Sequence, residues 1–115
     1  MNNKNKKKVM ITGVNGFIGS HLAEKLLKDG FEVFGLDVVD HKTSKNLSEI
    51  IKDDSFYYTK GDIQDFETIN NFFQNDAEVI YHLASVVGVR KYMEDPMSLI
   101  DITIIGTKNI IKNCM

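Results

Sequence analysis

Apolar residues along this chain fall in short runs separated by longer stretches with helical spacing. Lys8–Thr12 (KVMIT) is a brief β-like run that ends at Gly13. From Gly16 the period changes. Ile18, Leu22 and Leu26 recur every four residues with Phe17, Ala23 and Leu27 beside them, which predicts one buried helix face closed by Gly30. Glu32–Val39 (EVFGLDVV) reads as a second strand, and the polar, capped stretch from about Thr43 to Lys52 as a second, weaker helix. Phe56–Thr59 is a third strand, since aromatic and β-branched side chains fit a pleated, half-buried surface. Asp65 can N-cap a helix with apolar positions Phe66, Ile69, Phe72 and Phe73. Glu78–Leu83 is a fourth strand. Pro96 suits the first turn of a last helix bearing Leu99, Ile100, Ile104, Ile110 and Ile111, which Gly106 interrupts at about 1 kcal/mol relative to Ala.

The order is therefore βαβαβαβα. Strands separated by helices cannot pair through hairpins, so an α/β fold with a parallel sheet and right-handed crossovers is expected. The 115 residues suit one domain but are few for an enzyme with separate cofactor and substrate parts. With 43% hydrophobic and 26% charged residues, the chain has the balance of a globular domain, not of a disordered or disulfide-framed one.

The formal net charge of -2 conceals an asymmetry. Residues 1–8 (MNNKNKKK) hold four Lys and no acid, which leaves 10 basic against 16 acidic side chains beyond them. So acidic a body does not suggest a nucleic-acid face, which needs clustered Lys and Arg. The basic start could be a targeting signal or a nucleic-acid arm; a frayed, solvated tail over residues 1–7 is the favoured reading. No long apolar run follows it, and no stretch approaches a membrane span, so neither a secretory signal nor a membrane partner is expected. The single Cys114 excludes an internal disulfide, and a cytoplasmic setting is inferred.

The sharpest feature is Thr12-Gly13-Val14-Asn15-Gly16-Phe17-Ile18-Gly19, which joins the first strand to the first strong helix. Gly13 permits a tight turn, Gly16 lets a pyrophosphate approach the backbone, and Gly19 lets the helix lie close to the sheet. The free amides of the helix start then face anionic phosphates. The spacing is neither GxGxxG nor a phosphate loop of the GxxxxGK[ST] kind. Asp37, 24 residues after Gly13, can accept hydrogen bonds from ribose hydroxyls and would repel a 2′-phosphate, favouring NAD over NADP. A solvated loop acid is the plainer reading of Asp37, and Asp40 is a nearby competitor.

TGVNGFIGSHLAEKLL at 12–27 resembles the opening of the extended short-chain dehydrogenase/reductase family, in particular its NAD-dependent epimerase/dehydratase group acting on nucleotide sugars. GDIQD at 61–65, HLAS at 82–85 and DPMSLIDITIIGTKNII at 95–111, with its GT-N-[LI]-[LI] signature, fit the same pattern. The resemblance implies a Rossmann-type doubly wound sheet, with residues 8–115 as the N-terminal part of an NAD(P)-binding domain in strand order 3-2-1-4. It implies cofactor contacts from Gly13, Asn15, Gly16 and Gly19, with Phe17 and Ile18 offering backbone amides. It also implies Asp62 at the adenine amino group, Ile63 on the ring, and Leu83, Ala84 and Ser85 along phosphate and ribose. Where the family usually has Asn, four residues before the Thr of GT, this chain has Thr103, which by resemblance also falls among the cofactor-binding residues and can still hydrogen-bond, with shorter reach. Val86, Val87, Gly88 and Arg90 fall where the family approaches substrate. Arg90 could meet a substrate phosphate or carboxylate, although an exposed Arg is the favoured reading.

The family's chemistry depends on a Tyr-x-x-x-Lys pair. Four residues after Tyr57, Tyr58, Tyr81 and Tyr92 stand Gly61, Asp62, Ser85 and Pro96, so these 115 residues hold no such pair. His21, His41 and His82 lack a nucleophile constellation and read as structural, and no metal-ligand spacing is present. The expected function is the NAD-binding portion of a nucleotide-sugar epimerase or dehydratase, homodimeric in its full form and inactive as this portion alone. A non-catalytic dinucleotide-binding sensor or scaffold, and a reductase of a non-sugar substrate, are the alternatives.

Overall fold

Alternation within the strands sets the layers of the computed structural model, which describes residues 6–85 and 93–115. The elements are β1 (Lys8–Thr12), α1 (Phe17–Lys28), β2 (Glu32–Asp37), β3 (Phe56–Lys60), α2 (Phe66–Phe72), β4 (Val79–His82) and α3 (Pro96–Cys114). The strands form one parallel sheet in the order β3-β2-β1-β4, with Val9 opposite Val33 on one side and Val79 on the other. One face buries Val9, Ile11 and Val33 against Ala23 and Leu26 of α1 and against Leu47 and Ile50. The other face buries Met10 and Leu36 against Ile69 and Phe72 of α2 and Ile110 of α3. Central strand β1 is thus covered on both faces, which is why it reads as an unbroken apolar run.

The expected helix over Thr43–Lys52 does not form. A 3-10 turn at His41–Thr43 is followed by consecutive turns as far as Lys52. Here the side chains bond to nearby backbone: the Leu47 N–H donates to Ser44 Oγ at 3.2 Å, and Ser48 Oγ donates to the Lys45 carbonyl at 2.9 Å. Leu47 and Ile50 still anchor the segment in the core. β2 stops at Asp37 and not at Val39, because the Asp37 carboxylate takes the Val38 N–H at 2.7 Å. β3 runs one residue further than expected, to Lys60, which pairs with Asp37. β4 is one residue shorter at each end than expected.

In α1 the buried residues are Gly19, Ser20, Ala23 and Leu26. Phe17 and Ile18, expected on the core face, are 74% and 68% exposed. Gly30 closes the helix with φ +90°, the Phe31 N–H reaching the Leu26 carbonyl at 3.0 Å and the Gly30 N–H the Leu27 carbonyl at 3.1 Å. Asp65 caps α2, accepting from the Glu67 N–H. Asp95 caps α3 with Pro96 in its first turn. α3 buries Leu99 and Ile110, whereas Ile100, Ile104 and Ile111, also expected on its apolar face, are exposed. Lys6 and Lys7, assigned from sequence to the solvated tail, are tied down. Lys6 Nζ donates to Ser55 Oγ at 2.7 Å, and the Lys7 carbonyl accepts from the Glu32 N–H at 2.9 Å.

Candidate functional site: an open cavity at the strand ends

The glycine turn brings three elements together. Gly13 has φ +72°, and a Cβ there would stand 2.8 Å from the Ala84 backbone, so the end of β4 lies directly on the turn. A Cβ at Gly19 would stand 2.3 Å from the Gly13 carbonyl oxygen, so α1 begins in contact with the turn. Gly16 differs: a Cβ there would meet only the Gly13 oxygen, at 3.3 Å. It is the N-cap of α1 without a side-chain cap bond. The first intrahelical bond runs from Ser20 N–H to the Gly16 carbonyl, so the amides of Phe17, Ile18 and Gly19 precede it and carry the positive end of the helix.

Around this helix start lies an open cavity of about 330 Å³. It is lined by Gly13, Asn15, Gly16, Leu36, Asp37, Val38, Gly61, Asp62, Ile63, Leu83, Ala84, Ser85 and Ile102. Among the residues singled out from sequence, Gly13, Asn15, Gly16, Asp37, Asp62, Ile63, Leu83, Ala84 and Ser85 therefore converge. Phe17, Ile18 and Gly19 are not among the lining residues. Thr103 does not line it either: it is exposed on α3, and Ile102 is the residue of that helix that faces the cavity. Val86, Val87, Gly88 and Arg90 lie outside the described residues.

Backbone donors orient the Asp37 carboxylate at the mouth of β2. Oδ2 accepts from the Asn15 N–H at 2.9 Å and Oδ1 from the Val38 N–H. Asn15 is held by two further bonds. Its Oδ1 accepts from the Ser44 hydroxyl, and its carbonyl accepts from Asn46 Nδ2 at 2.7 Å. Asn15 thus acts mainly as an anchor of the turn. Tyr58 donates its hydroxyl to the Val39 carbonyl, and burial together with the nearby Asp37 and Asp40 carboxylates pushes its pKa up to about 12.

On the opposite wall, Asp62 Oδ1 accepts from the Gln64 N–H at 2.9 Å and folds the segment after β3 into a turn. Buried Ile63 projects from this turn. Buried Asn109 of α3 donates to the Ile63 and Gln64 carbonyls at 2.8 and 3.1 Å. At the β4 end, the Ala84 N–H donates to Thr12 Oγ1 at 3.1 Å. Thr12 Oγ1 lies 2.7 Å from His82 Nδ1, and His82 Nε2 lies 3.1 Å from Thr107 Oγ1. Burial lowers the His82 pKa. His21 bonds to the Phe17 carbonyl within α1, and His41 lies against Tyr58. Among the described residues no group of three His, Cys, Asp or Glu is placed to hold a metal, and no helix is long and apolar enough to cross a membrane.

Sequence reasoning missed Leu36, Val38, Gly61 and Ile102. The first two flank Asp37 at a strand end and were legible by position. It also missed the supports. Ser44 and Asn46 reach Asn15 across 29 and 31 residues of chain, and no local pattern signals such a contact.

The sequence profile of the GDP-mannose 4,6 dehydratase family matches residues 10–115. Protein CapI of Staphylococcus aureus is 37% identical over 110 residues, covering 91% of this chain and 33% of CapI. The UDP-glucose 4-epimerase of Mycolicibacterium smegmatis is 35% identical over 100 residues, covering 87% of this chain and 32% of that protein. The crystal structure of the Thermus thermophilus UDP-glucose 4-epimerase in complex with NAD superposes with a TM-score of 0.81 at 30% identity, covering 93% of this chain and 33% of that one. The chain thus spans about a third of the length of these relatives. With a profile match running from β1 to its last residue, this chain belongs to the GDP-mannose 4,6 dehydratase family.

Proposed function

We propose that this chain binds the adenosine and pyrophosphate of NAD and is the cofactor-binding portion of a nucleotide-sugar epimerase or dehydratase. The observation that carries this reading is the single cavity shared by the glycine turn, Asp37, Ile63 and Leu83–Ser85. A dinucleotide fits these residues: Gly16 leaves the helix start open to a pyrophosphate, and the oriented Asp37 carboxylate suits a ribose diol and repels a 2′-phosphate. The relatives named above, a UDP-glucose 4-epimerase with NAD among them, support the same choice of cofactor and substrate class.

When bound, NAD supplies a hydride acceptor for a sugar carbon bearing a hydroxyl. This chain's own part is to bind and orient. Its 115 residues hold no Tyr-x-x-x-Lys pair, and Tyr58, with its pKa pushed up to about 12, keeps its proton on the Val39 carbonyl near neutral pH. The chain alone therefore binds cofactor without turnover. The full enzyme is read as a cytoplasmic homodimer. The missing pair equally suits a non-catalytic dinucleotide sensor, and a Tyr-x-x-x-Lys sequence downstream in the parent reading frame separates the two. Calorimetry with NAD, NADP and a UDP-sugar tests the reading. NAD is expected to bind more tightly than NADP; the reverse order, or conversion of the UDP-sugar by this chain, overturns it.

A further inference from the structure

We propose that α3 fixes the shape of the adenine side of the cavity through Asn109, acting as a positioning residue. This inference rests on the nucleotide reading above. The wall at Asp62–Gln64 has little to hold it in place by itself. It follows β3 at the sheet's outer edge, and its internal bonds (Gln64 N–H to Asp62 Oδ1, Asp65 N–H to the Asp62 carbonyl) leave the Ile63 and Gln64 carbonyls to be satisfied from elsewhere. Asn109, 7% exposed, directs both hydrogens of its amide to those two carbonyls.

One turn earlier on α3, Gly106 makes room for the same residue from the side. A Cβ there would stand 2.2 Å from Ile63 Cδ1. The Ile63 main chain is thus pinned by Asn109 while its side chain is seated on Gly106. That explains a glycine that is costly inside a 19-residue helix and an asparagine that is costly to bury. Thr107, between them, lies 3.1 Å from His82 Nε2 at the end of β4, so about one turn of α3 meets both the segment after β3 and the end of β4. The Asn109 side-chain amide donates to the adenine side, so its loss is felt there.

Asn109→Asp removes both donor hydrogens at nearly constant volume. Dissociation constants for NAD, AMP and inorganic pyrophosphate, measured by calorimetry on wild type and variant with melting temperature alongside, separate positioning from general support. NAD and AMP are expected to weaken by the same factor, about tenfold for two lost bonds, with pyrophosphate unchanged because its site is the glycine turn. Should Asn109→Asp fail to fold, Gly106→Ala displaces the Ile63 side chain alone and carries the same expected split. Unchanged AMP affinity in a folded variant overturns the inference, as does a parallel loss of AMP and pyrophosphate. A wild-type chain that binds none of the three ligands overturns the nucleotide reading and this inference together; wild-type binding beside unaltered variants overturns this inference alone.

Discussion

His82 shows how a single side chain can be read from its neighbours. The Thr12 hydroxyl is fully buried and accepts the Ala84 N–H, so its own hydrogen has His82 Nδ1 as acceptor. The network thus assigns the imidazole proton to Nε2, facing Thr107. Protonating Nδ1 would place a second donor against that hydroxyl hydrogen. Burial lowers the His82 pKa below its ordinary 6.5, so the fold favours the neutral ring. The unfolded chain then binds the proton more readily, and stability rises with pH across this window. The contribution is whole above pH 6.5 and is lost as the pH falls through the lowered folded value. Melting temperature against pH should therefore drop more steeply in acid for wild type than for His82→Gln; equal slopes would count against the assignment.

Two cavity residues carry further expectations. Gly13→Ala must place a Cβ at φ +72° and 2.8 Å from Ala84 backbone, and should destabilise the chain by about 2–4 kcal/mol in denaturant titration. Asp37→Asn keeps one acceptor oxygen but loses the charge. It should weaken NAD about tenfold and improve NADP relative to NAD, read as the ratio of the two dissociation constants. No change in that ratio would leave Asp37 as a structural anchor of Asn15 alone.

Among the elements, α1 was legible almost to the residue, because capping glycines and a four-residue period act locally. Its first turn was misread. Phe17 and Ile18 continue the apolar period but stay exposed, and the first turn buries Gly19 and Ser20 instead. The segment after β2 shows the opposite error. Spacing and caps suggested a helix, yet the Ser44, Asn46 and Ser48 side chains bond to backbone groups, and two of them reach Asn15 or its carbonyl. Ser44→Ala is expected to cost about 1 kcal/mol in chemical unfolding and to weaken NAD binding, because it frees both the Leu47 amide and Asn15 Oδ1. A stability loss with unaltered NAD affinity would confine the loop to a packing role.

Over the whole molecule, the described fold is thin, 50 × 33 × 19 Å, with a radius of gyration of 14.3 Å. β4 pairs only with β1 among the described strands, and Val79 and Tyr81 on it are 46% and 40% exposed. On α3, Ile100, Ile104, Ile105 and Ile111 also face outward. An unpaired strand edge beside exposed aliphatic side chains favours association or marginal stability. Light scattering of this 115-residue chain should show concentration-dependent assembly or weakly cooperative melting; a monodisperse monomer with one sharp unfolding transition would contradict that.

By itself the sequence determined the parallel α/β architecture, the helix caps and the glycine turn, because strand runs, helical periods and turn residues act over a few positions. Its place at a strand end also brought Asp37 into view, while Ile63 and Leu83–Ser85 came from the resemblance to the family. What only the tertiary structure decided is how these pieces are held against one another: Asn109 on Ile63, Ser44 and Asn46 on Asn15, His82 between Thr12 and Thr107. Each of those bonds spans 25 residues or more, and its partner is chosen by the packing of the sheet, not by any neighbour along the chain.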